Sequence, residues 1–186
     1  MIGEDPRVNR KRIKFGVALL LFCGLAAGLG YYVQTPQFTM VQIVDSFEGH
    51  DLATFEKYVD IDGISAGVLD QYLGALARTD RGVAVTADTK QRLLRQLRAE
   101  IRRFVRTGRY PRLRGELRGL LPDIGTLRQR FRGIDDFRVR GRAASIGVQT
   151  RDGMGTLRFE LRKQGLIWRV SALNGLAGYF AKTLRP

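Results

Sequence analysis

The chain has 186 residues, one cysteine, one histidine and a formal net charge of +14. With Cys23 and His50 alone, it builds neither a disulfide framework nor a thiolate metal site, and any histidine-based nucleophilic arrangement has to run through His50. Residues 36 to 91 hold nine acids against four bases, whereas Arg92 to Arg142 holds sixteen arginines against five acids. Such a block suits anionic headgroups, acidic polymers or nucleic acid, or it pairs with the acidic half of the same chain. Arginine outnumbers lysine 26 to 6. A GC-rich genome produces the same bias, so the preference alone does not argue for phosphate recognition.

The first predicted element is the apolar run Phe15 to Val33, preceded by Arg7, Arg10, Lys11, Arg12 and Lys14. At a rise of ~1.5 Å per residue it reaches about 28 Å, close to a ~30 Å bilayer core. It also exceeds the ~7 to 15 apolar residues of a cleavable signal and ends on the interfacial pair Tyr31 and Tyr32. The reading is a transmembrane signal anchor at 15–33 with a cytoplasmic basic N-terminus at 1–14. Residues 34–186 then form a domain outside the cytoplasm, and the protein is a single-pass component of a bacterial inner membrane. Phe22 before Cys23 is too bulky for lipoprotein processing. Gly24 and Gly28 have the small-xxx-small spacing of a helix-helix contact in membranes, which predicts a homodimer through that helix.

Thr35-Pro36 opens the next helix, with a hydroxyl cap and a proline at the first helical position. Met40, Val44 and Phe47 form its stripe. Asp51 caps a short helix carrying Leu52, Phe55, Tyr58 and Val59, and a third helix, capped by Asp62, carries Ile64, Val68, Tyr72, Leu73 and Leu76. After a linker near 79–85, Thr86 opens a long helix whose Leu93, Leu94, Leu97, Ile101, Phe104 and Val105 share one arc. Arg92, Arg95, Arg98, Arg102, Arg103 and Arg106 take the other side. Pro111, Gly115, Gly119, Pro122 and Gly125 break residues 108–134 into short helices and loops. From Phe137 the period becomes two, through Ala144, Ile146 and Val148, then Leu157, Phe159 and Leu161, then Leu166, Trp168 and Val170. Asp152-Gly153 and Gln164-Gly165 are the expected turns. This register places Trp168 inward and leaves Arg169 as an outward bystander. A helix at 175–184 carries Leu176, Tyr179 and Phe180.

These elements predict an α+β fold: an N-terminal transmembrane helix, then a helical part at 36–134 packed on a curved antiparallel sheet of three to five strands at 136–173. The stretch from Thr35-Pro-Gln-Phe to Phe55-Glu-Lys-Tyr-Val-Asp-Ile-Asp resembles an uncharacterised bacterial family of membrane-anchored proteins, a domain of unknown function. The ending Leu157-Arg-Phe-Glu-Leu to Trp168-Arg-Val-Ser is similar to the closing strands of nuclear-transport-factor-2-like and cystatin-like domains. Neither resemblance transfers a catalytic residue.

No catalytic, cofactor or metal constellation stands out. Asp60-Ile-Asp62-Gly63 starts like a calcium loop, but Ile64 and Ser65 occupy the positions of the next ligand and of the turn glycine. The expected function is a non-enzymatic envelope module whose arginine face (Arg92, Arg95, Arg98, Arg102, Arg103, Arg106) contacts anionic lipid, envelope polymer or a protein partner. Nucleic acid is disfavoured by the exported location and the few stacking aromatics. The alternative is a small-molecule binder or enzyme with an apolar pocket lined by Tyr58, Tyr72 and Trp168.

Overall fold

A computed structural model describes residues 22–25, 28, 30–78, 85–109, 131–150 and 156–183. Four helices before the sheet each begin where a side chain takes up an orphan N–H. Thr35 accepts from Phe38 N ahead of α1 (Pro36–Glu48), Asp51 from Thr54 N ahead of α2 (Leu52–Tyr58), and Asp60 from Gly63 N ahead of α3 (Ile61–Leu76). Thr86 caps α4 (Ala87–Thr107) through Thr89 N, and left-handed Gly108 ends it. The cap of α3 is therefore Asp60, and Asp62, expected there, lies in the first turn.

Four strands follow: β1 (Phe131–Arg140), β2 (Ala143–Thr150), β3 (Thr156–Gln164) and β4 (Ile167–Asn174), then α5 (Ala177–Thr183). They form one antiparallel meander in the order β1-β2-β3-β4. Gly141-Arg142 and Gly165-Leu166 make two-residue turns, each with glycine first and at positive φ, as the II′ geometry requires. Leu166 is thereby a turn residue and exposed, not the strand residue its apolar character suggests. The Asp152-Gly153 turn and residues 110–130 lie outside the described residues, while residues 131–134, expected among short helices and loops, already belong to β1.

The sheet is open and uncurved, which corrects the curved sheet expected from the alternation. One face carries α1 and α3, with α4 stacked outside α3. Val68, Leu69, Tyr72, Leu93, Leu94, Leu97, Leu157, Leu176 and Phe180 build one core cluster. Ala144, Ile146, Leu161, Trp168 and Val170 build a second beneath Met40 and Ile43 of α1. The inward stripe of α1 is partly polar. Buried Thr39 donates to Trp168 O, Trp168 Nε1 donates to Gln34 O, and Val44 is left half exposed.

Among the described residues no helix is long and apolar enough to cross a membrane. That finding overturns the transmembrane signal anchor and, with it, the single-pass inner-membrane topology and the envelope placement. It likewise removes the support for the membrane contact and for a homodimer through a membrane helix at Gly24 and Gly28. Residues 15–21, 26, 27 and 29 of the apolar run lie outside the described residues. Its end is a turn: Gln34 N and Thr35 N donate to Tyr31 O and Tyr32 O, and the Tyr32 ring stands edge-on to Phe38 at 5.6 Å.

Candidate anion-binding face of the sheet

Strand alternation sends one set of β1–β3 side chains into the core and the other to the uncovered face. In β1 the outward pair is Arg138 and Arg140, and in β3 it is Arg158, Glu160 and Arg162, all exposed. Between them β2 contributes Ala143, Ser145 and Gly147. The register aligns these residues in rows: Arg140, Ala143 and Arg162; Arg138, Ser145 and Glu160; Asp136, Gly147 and Arg158. A middle strand of small residues between two strands of long ones leaves a trough. It is a shallow hollow of ≈ 350 Å³ lined by Arg138, Arg140, Arg158, Glu160 and Arg162 over Ala143, Ala144 and Ser145.

The charges of this hollow are poorly neutralised. Arg138 Nε lies 2.9 Å from Asp136 Oδ2, and Glu160 Oε1 accepts from Asn174 Nδ2 at 2.9 Å. Among the described residues Arg140, Arg158 and Arg162 have no carboxylate partner. Arginines facing each other across β2 stand two strand spacings apart, about 10 Å at the backbone. In water that separation costs only about 0.4 kcal/mol of repulsion per pair, so the unliganded sheet tolerates it. An anion between them would interact favourably with both walls, and the guanidinium fork matches the oxygens of a phosphate or carboxylate.

The α4 arginines fall into two sets. Arg92, Arg95, Arg103 and Arg106 are exposed, with Arg103 Nη1 3.7 Å from Glu100 Oε1. Arg98 and Arg102 turn inward: Arg102 Nε donates to Glu56 Oε1 at 2.7 Å, and Arg98 Nε lies 3.0 Å from Asp62 Oδ1 without hydrogen-bond alignment. Lys90 pairs with Asp70 at 2.6 Å. Part of the basic segment is thus spent on the acidic first half, and the six arginines do not make one exposed face. Tyr72 belongs to the first core cluster, Trp168 to the second, and Tyr58 is buried at the end of α2. None of the three lines the sheet hollow.

His50 sits at φ 57° with Nδ1 3.1 Å from Val105 O, which ties the α1–α2 turn to the end of α4. Its ring also approaches Gly108, where a Cβ would meet it at 2.5 Å. This is a structural contact. Among the described residues no group of three His, Cys, Asp or Glu is placed to hold a metal ion.

The sheet face was visible in the sequence as Arg138-Val-Arg140 and Arg158-Phe-Glu160-Leu-Arg162, arginine alternating with apolar residues. Counting arginines along the chain hid it, because the period-two pattern assigns them to a face only once the strands are paired. Compared with protein families, with curated proteins and with solved structures, the chain matches none. The resemblances to a membrane-anchored family and to nuclear-transport-factor-2-like or cystatin-like domains are therefore not supported, and neither is the envelope function built on them.

Proposed function

We propose that this chain is a binding module whose open sheet face takes up a compact phosphate-bearing molecule. The observation that carries this reading is the trough over β2, where arginines of β1 and β3 converge above Ala143 and Ser145. Arg140, Arg158 and Arg162 hold the anionic groups, Arg138 contributes when its bond to Asp136 opens, and Glu160 accepts from a hydroxyl or amino group of the ligand. A carboxylate in the site disfavours a ligand that is anionic throughout. The described residues of this face include no aromatic ring, so base stacking is not part of the recognition.

Titration calorimetry with inorganic pyrophosphate and with a nucleoside diphosphate tests the proposal. Both should bind, the nucleoside diphosphate more tightly because its ribose hydroxyls offer Glu160 a donor, and affinity should fall as the Debye length shrinks from about 10 Å at 0.1 M salt to about 3 Å at 1 M. Arg158→Gln and Arg140→Gln should each weaken binding about tenfold, the loss expected for one charge-assisted contact. Arg95→Gln on α4 should have no effect. Absence of binding, or equal losses at Arg95 and Arg158, overturns the assignment.

A further inference from the structure

The two edges of the sheet are treated differently. The outer edge of β4 is covered: Asp60 N donates to Val170 O at 2.8 Å, Val59 forms a parallel bridge to Val170, and Arg169 Nη2 donates to Glu56 O and Val59 O. Among the described residues nothing pairs with the outer edge of β1, a ten-residue strand. Native sheets seldom leave so long an edge without a device against pairing.

The directions of the β1 backbone groups follow from the hairpin. Arg140 and Ala143 flank a two-residue turn, so they form a hydrogen-bonded pair and the groups of Arg140, Arg138 and Asp136 point to β2. The N–H and C=O of Phe137 and Val139 then point outward. Their side chains, on the core-facing side of the sheet, are 37% and 47% exposed, since the helices do not reach over this edge.

We infer that β1 pairs antiparallel with β1 of a second copy, about a two-fold axis at Phe137. The charge pattern selects this register. Phe137 opposite Phe137 of the second copy is a hydrogen-bonded pair that brings two half-exposed rings together. Asp136 then faces Arg138 of the other copy, and Arg138 faces its Asp136, on the open face of the sheet. These are non-hydrogen-bonded positions, where side chains come closest. The in-strand contact of Arg138 with Asp136 shows that the two groups already reach each other's charge within one strand. A shift of the axis by one residue, to Arg138, would put the two Arg138 side chains against each other. The assembly is a continuous eight-stranded sheet in which the arginine troughs of the two copies adjoin.

Light scattering and sedimentation of the full chain test this without any ligand, so its outcome is independent of the phosphate-binding reading. The intact protein should be a dimer. Arg138→Asp sets like charges opposite each other twice and should weaken association roughly tenfold or more, and adding Asp136→Arg should restore it. Val139→Pro removes an outward N–H that β2 does not use, and should also give monomers while circular dichroism of the sheet is retained. A monomer throughout the accessible concentration range overturns the inference, as does a dimer indifferent to both Arg138→Asp and Val139→Pro.

Discussion

Trp168 ties β4 to α1 and to the segment just before it. It is 4% exposed, it packs with Ile146, Leu161 and Val170, and its indole N–H donates to Gln34 O at 2.7 Å while its carbonyl accepts from Thr39. Trp168→Ala should cost about 3–5 kcal/mol in urea unfolding, the range for a buried large aromatic. Trp168→Phe, which keeps most of the packing and loses the indole bond, should cost about 1–3 kcal/mol. Its neighbour Arg169 is no bystander, because its guanidinium satisfies two carbonyls at the β4 edge, and Arg169→Ala should destabilise where a free surface arginine would not. Asp51 makes a pH prediction. Bonding to Thr54, first through the side chain and then the backbone, holds its carboxyl below the ordinary value. A depressed pKa gives stability that is present above the unfolded value and lost as pH falls through the folded one. The melting temperature of Asp51→Ala should therefore lie below that of the parent at about pH 7, and the two should converge near pH 2.

At the scale of elements, close backbone approach decides the packing of α3 on β4. A Cβ at Gly63 would lie 2.9 Å from Ser171 O and 2.8 Å from Asp60 Oδ2, so Gly63→Ala should push the first turn of α3 off the sheet and lower stability despite alanine's better helix propensity. Gly175, at φ 91°, meets Thr156 O where its Cβ would stand, so the β4–α5 connection tolerates only glycine. Gln71 of α3 completes this joint by donating to Leu173 O and accepting from Leu176 N. The α4 ion pairs are a weaker attachment. Arg102 and Glu56 are about two-fifths exposed, and a double-mutant cycle between them should give about 0.2–1 kcal/mol, reduced by salt. The hydrophobic face of α4 does the holding: Leu97 is fully buried against α3.

For the whole molecule, two clusters in place of one core imply that distant core substitutions act separately. Leu97→Ala, in the first cluster, should cost about 2–5 kcal/mol, and Ile146→Val, in the second, about 0.5–1.5 kcal/mol. The double variant should lose their sum within about 0.5 kcal/mol. Coupling well beyond that would mean that Ile64 and Phe159, which touch both clusters, transmit repacking from one to the other. Among the described residues the sheet is covered on one side: helices occupy the apolar face, and the arginine face and the β1 edge remain available to ligands and partners.

What the sequence determined by itself was local. The caps Thr35, Asp51 and Thr86, the amphipathic stripe of α4 and the period-two strands were legible because capping and alternation depend on residues a few positions apart. Long-range pairing was not. Whether an arginine is solvated, tied to a carboxylate or aimed over a trough depends on which segment lies beside it: Arg98 and Arg102 met Asp62 and Glu56, whereas Arg140, Arg158 and Arg162 met the small residues of β2. The tertiary structure decided this, because through-space contacts between segments distant in the chain are set by the packing of the whole and not by any window of the sequence.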